Sequence, residues 1–208
     1  MKTVNIAGID IDIHNEDVGI YMSGGADSAL LLYILMKNST KKIHIFTCAS
    51  KAKQFGTVKS STDVIRKCAE LTGNLNIAHH MHYVESQNDH VLFAPYREFI
   101  DKGIVNLIYH GVTSNPPPSV LETFTDKSNQ PVLRNSENTR PVYKIGSNLY
   151  TPLTNSDKQQ IYKMYKELDI EHTLFPLTRS CEDLSLTEGH CGTCWWCEER
   201  NWGFGKLV

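Results

Sequence analysis

The sequence predicts an α/β protein with a doubly wound, mainly parallel sheet and a small cysteine-rich tail. Short apolar segments typical of strands alternate with helical segments, the pattern of right-handed crossovers between parallel strands. A glycine-containing loop lies between a strand and a helix, and four cysteines cluster near the end of the chain. The length of 208 residues favours one domain with a small appendage. We predict an N-terminal strand extension at 1–17, a main domain at 18–177 and a cysteine tail at 178–208.

The first elements are the best marked. Residues 4–13 alternate between apolar and polar side chains, which predicts one strand. Residues 19–22 form a second, short strand. Residues 29–36 are hydrophobic on nearly every side, as expected for a helix buried against a parallel sheet. Residues 43–47 predict the next strand.

The middle of the chain continues this alternation. Residues 61–72 predict a helix with one apolar stripe, and Gly73 is its stop signal. Strands are predicted at 77–84 and 107–109, and a third helix is expected within 89–102.

A long polar segment precedes the last predicted helix of the main domain. Residues 112–148 show no apolar period, which predicts a functional or disordered loop. Order resumes at 150–153. Ser156 and Gln159 form a predicted capping box for a helix whose apolar residues recur at i, i+3, i+4 and i+7 from Ile161.

The charge balance narrows the class of partner. The chain carries 21 basic and 23 acidic side chains, a formal net charge of −2. Proteins that bind a phosphate backbone usually carry a cationic excess, so we do not expect a nucleic-acid partner. The sequence shows no signal peptide and no apolar stretch of membrane-spanning length, so we expect a cytoplasmic protein with no membrane partner.

The hexapeptide between the second strand and the first helix has the composition of a phosphate-binding loop: Ser23-Gly24-Gly25-Ala26-Asp27-Ser28. Its glycines allow close approach of backbone N–H groups to an anion, and the helix adds its positive N-terminal end. Asp27 could hold a magnesium ion that shields the phosphates. The lysine of a Walker loop is absent. The competing interpretation is a tight turn capped by serine and aspartate.

The cysteine spacing near the end of the chain predicts a metal site. Four cysteines form a C-x9-C-x2-C-x2-C run: Cys181, Cys191, Cys194 and Cys197. Four thiolates complete a tetrahedral Zn²⁺ shell, so we predict a structural zinc knuckle that staples the tail. Two disulfides or an iron–sulfur cluster are the alternatives.

The hexapeptide resembles the PP-loop of the N-type ATP pyrophosphatases, which adenylate a carboxylate or carbonyl oxygen with ATP and release pyrophosphate. The resemblance implies an adenine nucleotide alpha-hydrolase-like fold, with ATP and Mg²⁺ as cofactors. It implies ATP contacts from the loop and its neighbours: Met22, Ser23, Gly24, Gly25, Ala26, Asp27, Ser28 and Gly111. Asp27, Ser28 and Lys158 are the predicted catalytic residues; Lys158 opens the helix after Ser156 and is placed to reach a phosphate.

Both motifs together resemble the 7-cyano-7-deazaguanine synthase family. The matching segments are Tyr109-His110-Gly111-Val112, Thr151-Pro152-Leu153, Thr178-Arg179-Ser180-Cys181 and the Glu-Glu-Arg that ends at Arg200. The resemblance implies a ligase that converts 7-carboxy-7-deazaguanine to 7-cyano-7-deazaguanine with ATP and ammonia, on a route to queuosine and other 7-deazaguanine modifications. A carboxylated deazapurine and ammonia are then the expected partners, and a homodimer is compatible with the sequence.

The family's substrate-binding segments are not recognisable here. Residues 49–54 replace its Tyr-Gly-Gln-Arg-His segment, its Pro-Gly-Arg-Asn is absent, and its base-binding loop has no counterpart in 114–148. Three alternatives therefore stay open. One is a PP-loop tRNA sulfur transferase, for which Cys48 is the candidate thiol, and another is a non-catalytic nucleotide or deazapurine sensor. The third is ligation of the deazapurine to a protein amine instead of ammonia, by the same activation chemistry.

Overall fold

A computed structural model describes residues 1–50, 54–84, 96–126, 141–144, 148–183, 185–186 and 188–207. The strands are β1 (Lys2–Ile6), β2 (Ile9–Ile13), β3 (Val18–Tyr21), β4 (Ile43–Ser50), β5 (Ile77–Val84), β6 (Ile108–Tyr109), β7 (Tyr143–Lys144) and β8 (Leu149–Tyr150). The helices are α1 (Ala26–Asn38), α2 (Gln54–Thr72), α3 (96–101), α4 (Pro118–Leu121), α5 (Lys158–Glu167) and α6 (Trp195–Phe204), with a 3₁₀ turn at Phe175–Leu177.

The central sheet has the order β5-β4-β3-β6-β8-β7 in the described part of the chain. All of its pairings are parallel except that of β7 with β8. The order reverses between β3 and β6, and in such sheets ligands bind at this switch point, outside the carboxyl ends of the strands. The predicted mainly parallel, doubly wound sheet is confirmed.

Neighbouring residues of the central strands contribute to two separate cores. Ile45 of β4 packs in the larger core, which contains α1 and parts of α2 and α5. Phe46 joins a smaller core with Ile108 and with Tyr96 of α3. Because successive strand residues point to opposite faces, the helices cover both faces of the sheet. α1 is buried on nearly every side, as its sequence predicts.

The prediction of a single strand at 4–13, within the expected strand extension 1–17, is wrong. β1 and β2 form an antiparallel hairpin that turns at Ala7 and Gly8, both with positive φ, 50° and 82°. Glycine adopts this conformation without strain, so Gly8 indicates a turn. The apolar alternation continues across it and predicts a single strand instead. The hydroxyls of Tyr109 and Tyr150 hydrogen-bond to the Asp12 backbone at 2.6 and 2.8 Å and hold the hairpin on the sheet.

Other boundaries differ from the sequence predictions for local reasons. α2 begins at Gln54 rather than at 61. The sequence pattern does not predict these first turns, because Gly56, Thr57, Lys59 and Ser60 interrupt the apolar stripe. The segment predicted as a loop at 112–148 contains α4 and β7, and residues 127–140 and 145–147 lie outside the described part. The cap of α5 is Asp157, whose side chain accepts a hydrogen bond from the Gln160 N–H, so the predicted capping box is wrong.

Much of the predicted third helix lies outside the described residues; residues 96–101 are helical. Within the described ranges, no helix combines the length and hydrophobicity needed to cross a bilayer.

Candidate functional site

The phosphate loop, residues 23–28, lies at the carboxyl end of β3 and runs into α1. The Ser23 hydroxyl accepts a hydrogen bond from the Gly25 N–H at 3.3 Å and lies 3.1 Å from the Ser28 hydroxyl. The Ser28 hydroxyl also donates to the Gly25 carbonyl at 3.2 Å. These bonds curl the backbone at the N-terminus of a 13-residue helix, where N–H groups and the helix dipole favour an anion.

Two glycines allow neighbouring elements to pack directly against this loop. Gly24 has a φ of 80°, and a Cβ there would lie 2.9 Å from the Ser60 Cβ of α2. Gly111 follows β6, and a Cβ at this position would lie 2.9 Å from the backbone N of Ser28. Gly111 thus lies against the first turn of α1 and leaves space for the loop, and an ATP contact from Gly111 stays a prediction.

The structure brings Asp27 and Lys158 together, although they are 131 positions apart. The Lys158 ammonium hydrogen-bonds to Asp27 Oδ2 and also donates to the Thr113 hydroxyl at 3.2 Å. Only 8% of the Lys158 side chain is exposed, so this ammonium needs acidic or polar partners to offset its desolvation. Lys158 is the first residue of α5, and the cap at Asp157 fixes the direction in which it leaves the helix.

Glu199 of α6 is a second acidic partner of this lysine. Its Oε2 lies 3.7 Å from Lys158 Nζ, and the glutamate side chain is only 1% exposed. Helices α5 and α6 approach closely because residue 203 is glycine: a Cβ there would lie 2.1 Å from the Lys158 Cβ. Sequence reasoning missed Glu199 as a site residue, although a charged Glu-Glu-Arg inside an otherwise aromatic helix was the available signal.

The second carboxylate oxygen of Asp27 fits a divalent cation. Asp27 Oδ1 is buried and has no hydrogen-bond partner within the described residues. A buried carboxylate oxygen without a donor is unfavourable unless a cation binds it. Magnesium prefers carboxylate oxygen, water and phosphate oxygens as ligands, so the residues present at this point fit Mg²⁺.

Two residues expected to contact ATP have their side chains elsewhere. The Met22 side chain is fully buried in the core, and its N–H donates to the Phe46 carbonyl at 2.8 Å. Ala26 is also buried, and its carbonyl accepts a hydrogen bond from the Tyr165 hydroxyl at 2.8 Å. Both side chains pack in the protein interior, next to the loop. A contact with ATP therefore stays a prediction only for the backbone atoms of these two residues.

The four cysteines of the tail meet in space. The sulfurs of Cys181, Cys191, Cys194 and Cys197 all lie within 4.8 Å of one another. Backbone N–H groups of residues 183 and 191 point at the Cys181 sulfur, at 3.5 and 3.3 Å. Hydrogen bonding by the Cys197 thiol lowers the pKa of Cys194 to about 5. This four-sulfur set fits tetrahedral zinc.

Arg200 connects the cysteine tail to the rest of the domain. Its buried guanidinium donates to the Thr178 hydroxyl at 2.9 Å and to the Phe175 carbonyl at 3.2 Å, and it stacks over the Phe175 ring at 3.9 Å. Burial lowers the pKa of Arg200 to about 10. The adjoining Arg179 N–H donates to the Gly24 carbonyl at 2.9 Å, which joins this segment to the phosphate loop.

Two further titratable groups lie at the carboxyl edge of the sheet. Burial lowers the pKa of His110 to about 4, so the ring is neutral at pH 7, and it stacks on Tyr21 with 5.4 Å between ring centroids. Cys48 of β4 is buried, and that burial raises the pKa of its thiol. Neither group has the properties of a thiolate or an imidazolium at neutral pH.

The comparison with protein families gives two matches. Residues 79–208, more than half of the chain, match the family described as Queuosine biosynthesis protein QueC. The chain belongs to this family. Residues 13–106 also match the Asparagine synthase family. Both are families of ATP-using ligases or synthetases, and their matched ranges overlap at residues 79–106 of this QueC-family chain.

Sequence and structure searches add distant likenesses to this QueC-family chain. No curated protein sequence matches it significantly. The NMN synthetase of Francisella tularensis is 15% identical, with 92% of this chain and 78% of that chain covered and a TM-score of 0.47. The reductase domain of an aureusimine biosynthetic cluster is 14% identical, with 78% of this chain and 47% of that chain covered and a TM-score of 0.32.

Proposed function

We propose that this chain adenylates a carboxylated deazapurine with ATP and uses ammonia to convert the carboxyl group to a nitrile, as in the conversion of 7-carboxy-7-deazaguanine to 7-cyano-7-deazaguanine. One observation carries the proposal. In a chain of the QueC family, a glycine loop at the N-terminus of α1 presents Asp27 beside the buried Lys158 ammonium, and Asp27 Oδ1 has no hydrogen-bond partner among the residues that the structure describes.

In this proposal the phosphate loop holds the triphosphate. The N–H groups at the start of α1 bind phosphate oxygens, and the hydroxyls of Ser23 and Ser28, already adjacent at 3.1 Å, donate to them. Gly24 and Gly25 let the phosphates approach the backbone, because neither carries a Cβ. These groups are fixed by the fold before substrate arrives, which favours electrostatic stabilisation of developing charge.

Asp27 and Lys158 have complementary tasks at the phosphates. Asp27 would hold Mg²⁺ through Oδ1, and the ion would supply charge neutralisation for the triphosphate. The Lys158 ammonium stabilises negative charge that builds on the departing pyrophosphate, which lowers the barrier to its release. The low exposure of Lys158, 8% of its side chain, strengthens this interaction because little water screens it.

The proposed reaction uses two molecules of ATP, one to activate the carboxylate and one to activate the amide. A substrate carboxylate oxygen attacks the α-phosphorus, and the bond from that phosphorus to pyrophosphate breaks. Ammonia attacks the acyl carbon, AMP leaves with the activated oxygen, and loss of a proton gives a carboxamide. Adenylation of the amide oxygen by a second ATP, followed by loss of AMP and protons, gives the nitrile. The chain's part is mainly positioning and charge stabilisation.

The cysteine cluster has a structural task in this proposal. All four sulfurs would bind one Zn²⁺, which leaves no open position for a substrate or water. The ion would fix the start of α6 and the segment that begins at Cys181. No observation favours the alternative of sulfur transfer, because burial raises the pKa of Cys48 and so lowers its thiolate fraction.

The decisive experiment measures pyrophosphate release from ATP with 7-carboxy-7-deazaguanine and ammonium. We expect release by the wild type and at least about a hundredfold loss in Asp27→Asn, which keeps the shape but removes the charge. Asp157→Asn is the control, because asparagine also caps helices and the same charge is removed one residue before Lys158. Absence of pyrophosphate release by the wild type with any carboxylated deazapurine would exclude this function.

A further inference from the structure

Helix α6 contacts the candidate nucleotide site two residues after it leaves the cysteine cluster. Its N-cap is Cys194, and Cys197 lies in its first turn. Glu199 follows, 1% exposed, with Oε2 at 3.7 Å from Lys158 Nζ. A buried carboxylate in this position is unfavourable without a charged partner, and Lys158 is that partner.

The charge of Glu199 affects how strongly Lys158 pairs with Asp27. Asp27, Lys158 and Glu199 together contribute two carboxylates and one ammonium, an excess of one negative charge. The ammonium is therefore shared between two acidic groups, and the Asp27 carboxylate keeps an oxygen without a hydrogen bond in the described part of the chain. Without the Glu199 charge, Lys158 would pair more strongly with Asp27 and compete there with a divalent cation.

A second connection runs from the same helix to the same loop. The residue after Glu199 is Arg200, which donates to the hydroxyls of Thr178 and Ser180 at 2.9 and 3.3 Å. Between these two lies Arg179, whose N–H donates to the Gly24 carbonyl at 2.9 Å. Two consecutive residues of α6 are thus connected to the phosphate loop through one intermediate each, Glu199 through Lys158 and Arg200 through the segment that contains Arg179.

We propose that Glu199 is a positioning residue that holds Lys158 so that Asp27 stays available to a divalent cation, and that α6 thereby couples the cysteine cluster to the nucleotide site. This rests on the proposed use of Mg²⁺ and ATP. The coupling goes beyond that proposed function, because metal bound by the cysteine cluster and nucleotide bound by the phosphate loop would each strengthen the binding of the other. Such coupling must be reciprocal.

The first test measures Mn²⁺ binding by electron paramagnetic resonance in the presence of α,β-methylene-ATP, which is not cleaved at the α–β position. We expect Glu199→Gln to weaken Mn²⁺ binding about fivefold. Glu198→Gln is the matched control: it removes the same charge one residue earlier, where the carboxylate instead accepts hydrogen bonds from residues 125 and 126. We expect its Mn²⁺ affinity to equal that of the wild type.

A double-mutant cycle separates positioning from direct attraction of the cation. If Glu199 acts through Lys158, Glu199→Gln has no further effect on Mn²⁺ binding in a Lys158→Met background. Equal binding by Glu199→Gln and wild type, equal losses in both glutamine variants, or an undiminished effect in the Lys158→Met background would each overturn the positioning role. A wild type that binds no nucleotide would instead overturn the proposed function, and the coupling with it.

The second test measures zinc release to a chromogenic chelator with and without α,β-methylene-ATP and Mg²⁺. We expect the nucleotide to slow release about threefold in the wild type and in Glu198→Gln, and to have no effect in Glu199→Gln. Equal release rates with and without nucleotide in a wild type that binds it would show that α6 does not couple the two sites.

Discussion

The phosphate loop and the cysteine cluster are both small segments shaped by backbone N–H groups, but they depend on different supports. The loop is enclosed by the rest of the domain: α2 packs at Gly24, the segment after β6 packs at Gly111, and Arg179 bonds to the Gly24 carbonyl. In the cluster, N–H groups of its own short turns lie at 3.3–3.5 Å from the Cys181 sulfur. The domain preforms the loop, whereas we expect the cluster to depend on a bound ion for its stability.

The largest expected effect comes from removing one sulfur of the cluster. Cys194→Ser should abolish stoichiometric zinc binding and lower the free energy of unfolding by about 5 kcal/mol, since metal-binding energy is folding energy for such a tail. Metal analysis and denaturant unfolding measure both. Cys68→Ser is the control for thiol loss, because Cys68 lies in the core and should retain full zinc content. Full zinc content in Cys194→Ser would remove the proposed ligand set.

The next effect tests the contact between α5 and α6. Gly203→Ala should lower the free energy of unfolding by about 3 kcal/mol, because its Cβ would lie 2.9 Å from the Lys158 carbonyl carbon and force the helices apart. Asn201→Ala, on the exposed side of α6, should change stability by less than about 0.5 kcal/mol. Equal thermal stabilities of the two variants would show that the helices accommodate the methyl group.

A smaller effect tests how closely α2 supports the loop. Gly24→Ala should lower the free energy of unfolding by about 2 kcal/mol. Part of this loss comes from the φ of 80°, and part comes from contact of the new Cβ with Ser60. Gly103→Ala shares a positive φ, 65°, but meets nothing within 4 Å, so it should cost about 1 kcal/mol. The difference between the two midpoints in urea isolates the contact. No difference would mean that α2 gives way.

The last effect, similar in size to that of Gly24→Ala, is a pH dependence at the carboxyl edge of the sheet. The pKa of His110 is about 4 in the folded chain, and an unfolded histidine has a pKa near 6.5, so the unfolded state binds more protons between these values. Stability should therefore fall as the pH decreases from 7 towards 4, by about 2 kcal/mol between pH 7 and pH 5.

His110→Gln should flatten this dependence in urea titrations at pH 7 and pH 5. His172→Gln, which changes a histidine side chain that is 77% exposed, should leave it intact. The same slope in His110→Gln and wild type would contradict the assignment.

The sequence predicts the loop and the cluster well because both depend on local spacing. Glycines between a strand and a helix specify a backbone shape that binds phosphate. Cysteines separated by two residues can bind the same metal ion. Neither pattern depends on distant residues. The alternation of strands and helices likewise predicts the doubly wound sheet.

Groups that depend on distant packing were missed or misjudged. Glu199 reaches Lys158 because α5 and α6 pack closely at Gly203, and Thr113 reaches it from the segment after β6. No local pattern encodes either contact. The hairpin turn at Ala7 was missed because an apolar alternation of period two is the same on both sides of a two-residue turn.

The N-terminal hairpin has a consequence for the order of events during synthesis. Its backbone bonds to Tyr109 and Tyr150 join residues 97 and 138 positions apart, and its turn accepts a hydrogen bond from Gln160 at 2.6 Å. A ribosome makes these partners long after the hairpin itself, at about 5–20 residues per second. For several seconds the backbone groups of the nascent hairpin that bond to Tyr109, Tyr150 and Gln160 therefore lack these partners. In this interval chaperones or other strands can bind the hairpin instead.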